Sequence, residues 1–247
     1  MKDKRRHLGI PMANVSVLKE RRRCKGVSKV HVAATYKKIT VVVPNAPVSD
    51  TLPATISFYV DTRFTTTQVS QIRNMIAGAL SFWRDHYIEV DEQGSSRYQA
   101  CVNKYAKFNL APVWFEEKLA NGAAAASVQM DGFTTQIRAN GFGQAAKAYI
   151  MYEKSNSDFI VKGVNASNPE TNSLTVTVNP TTISKTTILG SFKFGALQHA
   201  WLHREGYRHP AGKYTSYFAG EASMCAMRGN KNKITGQSDS VYTKYLD

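Results

Sequence analysis

Three histidines in the segment HAWLHREGYRH have the residue type and spacing of a metal site. His199 and His203 are four positions apart, so on a helix they project from one face and both imidazoles can reach one ion at about 2.0–2.1 Å. Gly206 is expected to end that helix and to turn the chain back, which brings His209 within reach as a third ligand. Three protein ligands leave a fourth position for water, the arrangement of a catalytic rather than a structural zinc site.

The position directly after the first histidine holds Ala200, whose side chain can neither accept nor donate a proton. A metal-bound water that acts as a nucleophile needs a nearby base to accept its proton. Ala200 has no such group, and Glu205, five positions further on, is expected to point away from the face that carries His199. Loss of a general base typically lowers a rate by a factor of about 10²–10⁴. The segment therefore predicts a metal centre without its proton carrier.

This segment resembles the signature of the metzincin clan of zinc metalloendopeptidases, H-E-x-x-H-x-x-G-x-x-H followed by a methionine turn. Only Ala200 departs from the signature, at the glutamate position. The resemblance implies zinc as the cofactor, bound by the three histidines, and hydrolysis of peptide bonds in protein substrates by zinc-activated water. The matching residues are His199, His203, Gly206 and His209.

A methionine turn is available downstream in the segment EASMCAMR. The resemblance implies that a methionine there lies beneath the metal, and either Met224 or Met227 has a suitable position, with Met224 preferred. Many members of the clan have a tyrosine two residues after this methionine. Ala226 and Gly229 stand at those positions, so this feature is missing.

Hydrophobic spacing predicts the elements that must position the histidines. The longest helix is predicted over residues 65–87, where apolar side chains recur every three or four positions after a cluster of threonines. Residues 121–146 mix small and polar residues without a clear period and are predicted to be an insertion or loops. A short final helix capped by Ser238 or Asp239 is expected near the end. Strands are predicted at 37–44, 54–64, 87–90, 148–153, 158–164 and 173–180, where β-branched and aromatic residues cluster.

The opening order of strand, helix and strand implies a parallel pair, and from about Thr51 onward the order of elements is similar to a metzincin N-terminal subdomain. The resemblance implies an α/β (α+β) fold: a twisted mixed β-sheet with a backing helix and an active-site helix, then a smaller irregular C-terminal subdomain after Gly206. Residues 158–164 are the candidate edge strand, which would bind an extended protein or peptide substrate by strand addition. The predicted domains are a basic N-terminal arm (1–45), a catalytic subdomain (46–206) and a C-terminal subdomain with the methionine turn (207–247).

The formal net charge of +14 in 247 residues points towards nucleic acid, an anionic membrane or an acidic partner, and part of it comes from the first 25 residues. That basic arm is interpreted as a solvated segment or a removable prosegment. No stretch approaches the roughly 20 apolar residues of a membrane span, and no apolar region follows the charged start as in a signal peptide. The resemblance nevertheless favours a secreted protein or one delivered to a target.

The three cysteines allow one disulfide and a free thiol, or no disulfide at all. The segment RRRCKGV around Cys24 resembles the cysteine switch of matrix metalloproteinase propeptides, in which a thiolate occupies the fourth zinc position until the prosegment is removed. The flanking proline and aspartate of that motif are absent, and Lys25 intrudes. An ordinary structural or exposed thiol is the alternative.

Three functions are consistent with the sequence. The first is a zinc metalloendopeptidase inactivated at Ala200 by a substitution that prevents self-digestion, which we favour because the ligands, the glycine and a candidate methionine are all retained. The second is a natural pseudoprotease that binds zinc and polypeptide. The third is a basic-armed nucleic-acid-binding or assembly protein with incidental histidines. Zinc content separates the third from the other two.

Overall fold

A five-stranded mixed sheet with strand order β1-β2-β3-β5-β4 organises the computed structural model, which describes residues 34–166 and 168–247. Strand β1 is antiparallel to β2, β2 and β3 are parallel, β3 and β5 are parallel, and β4 is antiparallel to β5. The fold is therefore mixed α/β, as predicted. The strands are β1 (Tyr36–Val42), β2 (Thr55–Asp61), β3 (Ala148–Tyr152), β4 (Val161–Lys162) and β5 (Val176–Val178).

Seven helices occur in this part of the chain, and the longer ones pack around the sheet and against each other. Trp201 of the histidine-bearing helix links the layers, because its ring stacks on Phe58 of the sheet at 6.3 Å between centroids and contacts Phe133 at 5.2 Å. The helices are α1 (Thr66–Gln93), α2 (Arg97–Tyr105), α3 (Gly122–Gly141), α4 (Pro180–Ile183), α5 (Gly190–Glu205), α6 (Phe218–Met227) and α7 (Ser240–Thr243).

Helix α1 begins where the threonines predicted it. The Thr65 hydroxyl accepts from the backbone N–H of Gln68, and the Gln68 side chain accepts from the backbone N–H of Thr65, which completes a capping box. The helix then continues through residues 87–90, which were predicted as a strand. That prediction is wrong because no helix-ending residue follows His86 until Gly94, which ends the helix with a left-handed φ of 75°.

Helix α3 occupies most of residues 121–146, so the prediction of loops there is wrong. Asn121 caps the helix by accepting from the backbone N–H groups of Ala123 and Ala124. Small residues allow close packing: a Cβ added to Gly122 would lie 2.7 Å from the Cα of Asn103 in α2. The helix lacks a clear hydrophobic period because its sides are enclosed by neighbouring elements.

Strand β1 lies within residues 1–45, the span predicted as a basic arm. Ile39 and Val41 are buried while Lys38 and Thr40 are exposed, the alternation of a strand with one face on the core. Residues 36–42 of that span are therefore part of the sheet. Residues 34–247 form one compact unit.

A disulfide joins Cys101 of α2 to Cys225 of α6. Among the residues that the structure describes, no helix has both the length and the apolar character needed to cross a membrane.

Candidate metal centre

Helix α5 carries His199 and His203 on one face, and both side chains are buried. The helix ends as predicted at Gly206, which has the left-handed φ of 106° that favours glycine. The backbone N–H of Tyr207 then donates to the carbonyl of Leu202 at 3.0 Å, so the chain turns back tightly. This turn delivers His209 to the two helical histidines.

The three imidazoles converge on one point. The Nε2 atom of His199 lies 3.2 Å from Nε2 of His203 and 3.2 Å from Nε2 of His209. One ligand atom from each residue lies within 4.8 Å of the other two. These three histidines can therefore hold a metal ion.

The opposite ring nitrogens fix the tautomers. Each Nδ1 faces a backbone carbonyl oxygen, which can only accept a hydrogen bond, so each Nδ1 carries the proton and each Nε2 presents a lone pair. Three lone pairs at this separation repel one another unless a cation lies between them. The contacts of the Nδ1 atoms are His199 to Ala219 O (3.2 Å) and Ser223 Oγ (3.2 Å), His203 to Tyr207 O (3.0 Å), and His209 to Pro210 O (3.0 Å).

The surroundings keep the helical histidines neutral. Burial, assisted by the neighbouring His203 and His209, lowers the pKa of His199 well below its usual value. Burial also lowers the pKa of His203, although the Asp247 carboxylate opposes the shift. Neutral imidazole is the form that binds metal ions.

Asp247 is a site residue that sequence reasoning missed. Its carboxylate oxygen Oδ1 lies 3.6 Å from Nε2 of His199, and Oδ2 accepts from the backbone N–H of Gly163 at 2.9 Å. Tyr214, also missed, donates its hydroxyl to the backbone oxygen of Asp247 at 2.8 Å and packs its ring 5.0 Å from that of His209. Neither residue belongs to the histidine motif, so no local spacing indicates them.

Ala200 is completely buried in α5. The chain leaving β4 covers it: a Cβ built on Gly163 would lie within 3 Å of three backbone atoms of Ala200. Glu205 offers no substitute acid, since its carboxylate contacts the Gln129 amide at 3.4 Å and burial raises its pKa well above the usual value. Among these residues, Asp247 is the one that brings a carboxylate to the histidines.

The predicted edge strand is at the edge of the sheet, where β4 pairs only with β5 among the described strands. It is shorter than predicted, at two residues. The segment after α7 lies beside it, because the backbone N–H of Ile160 donates to the carbonyl of Tyr245 at 3.1 Å. The same segment brings Asp247 to the histidines.

The segment EASMCAMR is helical and forms most of α6, so the structure has a helix where a methionine turn was expected. Met224 and Met227 are both buried, and Met227 packs against Gly195 of α5, where an added Cβ would lie 2.6 Å from its Cγ. Helix α6 still contributes to the centre, because Ser223 contacts His199. Cys24 and the predicted cysteine switch lie outside the described residues.

Comparisons with protein-family models, with curated proteins and with solved structures found no match to this chain.

Proposed function

We propose that this chain is a zinc protein of the metalloendopeptidase type in which position 200 lacks the general base. The observation that carries the proposal is the convergence of three Nε2 lone pairs, with those of His203 and His209 each 3.2 Å from that of His199. Three neutral imidazoles suit zinc, which favours nitrogen and sulfur ligands and tolerates tetrahedral geometry. The spacing of these residues on α5 and after Gly206 is that of the metzincin signature.

Each part of the chain would have a defined role. Zinc, when bound, would polarise a substrate carbonyl and lower the pKa of a bound water. The backbone carbonyls at the three Nδ1 atoms would hold the imidazoles in the ligating tautomer. Strand β4 would pair with an extended protein or peptide substrate once the segment at Tyr245 moves aside. Ala200 supplies no proton acceptor, so the chain with this sequence would be inactive.

A natural pseudoprotease is the second candidate, and the burial of Ala200 favours it. The side chain at position 200 is fully enclosed and Gly163 packs on its backbone, so a glutamate there has to displace its neighbours. A protein that keeps the three histidines but fills the acid position in this way would bind zinc and polypeptide without hydrolysis.

The test places a glutamate at position 200, both in the otherwise unchanged chain and in a chain that lacks the Asp247 carboxylate. Ala200→Glu and the double variant Ala200→Glu, Asp247→Ala are incubated with a quenched fluorescent peptide library, with and without a chelator. Ala200→Gln is the matched control, because it has nearly the same volume but accepts no proton. Zinc content and circular dichroism are measured for every variant, so that loss of metal or of folding is not mistaken for loss of catalysis.

Chelator-sensitive cleavage by either glutamate variant, but not by the glutamine control, would support the metalloendopeptidase. Folded, zinc-loaded variants that cleave nothing would favour the pseudoprotease. A chain that binds no zinc would overturn both candidates, and salt-dependent nucleic-acid binding would then support an assembly role through the basic arm.

A further inference from the structure

We propose that Asp247 is the fourth ligand of the metal centre and closes it to water. The proposal rests on metal binding by the three histidines, as put forward above, but not on peptidase activity. It assigns a role to a carboxylate that lies far along the chain from the motif. Two geometrical observations and one structural context carry it.

The first observation is the set of distances around His199. A tetrahedral site with bonds of about 2.0–2.1 Å has about 3.3–3.4 Å between neighbouring ligand atoms. The distances from Nε2 of His199 are 3.2 Å to Nε2 of His203, 3.2 Å to Nε2 of His209 and 3.6 Å to Oδ1 of Asp247. Each of these distances from His199 is close to the edge of such a tetrahedron, although the ligand atoms that all lie within 4.8 Å of one another belong to the three histidines alone. The carboxylate therefore approaches the site from the side of His199 and would bind the ion directly after moving towards His203 and His209.

The second observation concerns the unsatisfied oxygen. Oδ1 of Asp247 is buried and has no hydrogen-bond partner among the described residues. Nε2 of His199 lies 3.6 Å from this oxygen. Because Nδ1 of His199 faces the carbonyl of Ala219, a lone pair on Nε2 faces the carboxylate oxygen. Two acceptors in contact are unfavourable, and a buried carboxylate oxygen without a hydrogen-bond partner is costly. A cation between them removes both costs.

The structural context is that several hydrogen bonds anchor the segment that carries Asp247. The backbone N–H of Gly163 holds the other carboxylate oxygen, the Tyr214 hydroxyl holds the backbone of Asp247, and Ile160 bonds to Tyr245 beside β4. These contacts orient Oδ1 towards the histidines before any ion binds. A preorganised carboxylate loses little conformational entropy on ligation.

A metal held by three histidines and Asp247 has no ligand position left for water in a four-coordinate site. Structural zinc sites have this closed arrangement, whereas catalytic ones keep a position open. Binding of Asp247 to the metal would thus give a closed centre. A substrate or water would reach the metal only after the segment 245–247 withdraws from β4.

The experiment uses cobalt(II) in place of zinc and azide as a probe of an open position. The full chain, Asp247→Ala and the control Asp158→Asn are loaded with cobalt, and the visible absorption spectrum is followed during titration with azide. Asp158 is a suitable control because it is an aspartate in a surface ion pair with Lys185. Zinc affinity is measured in parallel by competition with a chromophoric chelator.

The unchanged chain and Asp158→Asn are expected to keep their cobalt spectrum when azide is added. Asp247→Ala should start from a different spectrum, respond to azide, and bind zinc at least about tenfold more weakly, since even loss of outer contacts to metal ligands typically costs 10–100-fold. A conservative Asp247→Glu variant keeps a carboxylate and should restore part of the affinity.

An azide response in the unchanged chain equal to that of Asp247→Ala would overturn the proposal while leaving the three-histidine centre intact. So would equal zinc affinities in the two proteins. Absence of metal binding in every protein would overturn the proposed function as well, so the two failures are distinguishable.

Discussion

Gly163 lies directly on the backbone of Ala200: a Cβ built on the glycine would be 2.4 Å from the Ala200 carbonyl oxygen and 2.8 Å from its Cα. The backbone that follows β4 therefore packs directly against the backbone of helix α5 at Ala200, the residue next to His199. This contact covers position 200. It also places the N–H of Gly163 where it can hold the carboxylate of Asp247.

Gly163→Ala should destabilise the protein by about 1–3 kcal/mol, because the contacted atoms belong to the helix backbone and cannot rotate away. Displacement of β4 should also move Asp247 and weaken zinc binding. Gly190→Ala is the control, since a Cβ at Gly190 meets no atom within 4 Å. Urea unfolding and zinc competition measure both effects, and a Gly163→Ala protein as stable as the control would contradict the close packing.

His209→Ala should lower zinc occupancy and reduce the increase in melting temperature that zinc gives, because it removes one of the three histidine ligands. The measurements are zinc content after dialysis and thermal unfolding with and without chelator. Lys213→Ala, an exposed position in the same loop, should behave as the unchanged chain. Retention of one zinc per chain by the His209→Ala protein would show that His209 is not a ligand.

The histidine part of the site could be predicted from sequence because its geometry is local. A helical turn sets the relation of His199 to His203, and the left-handed turn at Gly206 returns His209 within a few residues. Asp247 could not be predicted, because it reaches the centre only through the packing of the last segment against β4. Tertiary contacts of this kind leave no periodic signal in the sequence.

The distinction between local geometry and tertiary contacts also explains which helices and strands were predicted correctly. Helix α5 with its glycine stop and the Thr65 cap follow from local chemistry. Helix α3 was missed because its glycines and alanines serve close contacts on several sides, which removes the amphipathic period. Residues 87–90 contain β-favouring side chains, but the continuing helix and the stop at Gly94 decide their conformation.

Between about pH 4 and 6.5, His86 should make the stability of the protein depend on pH. The side chain is buried in α1 and its Nδ1 contacts the Ser96 hydroxyl at 2.8 Å. Burial lowers its pKa from 6.5 to about 4, with Glu89 opposing the shift. The unfolded chain thus binds more protons than the folded chain in this range, so the free energy of unfolding rises with pH. The contribution is fully present above pH 6.5 and is lost as the pH falls to about 4.

His86→Gln should remove this part of the pH dependence, because glutamine does not titrate. A shift of this size corresponds to on the order of 3 kcal/mol between the ends of the range, so the slope of unfolding free energy against pH should become clearly shallower. Both proteins are unfolded in urea with a chelator present, so that the metal centre titrates equally in each. Parallel curves for the two proteins from pH 4 to 6.5 would show that His86 is not held neutral by burial.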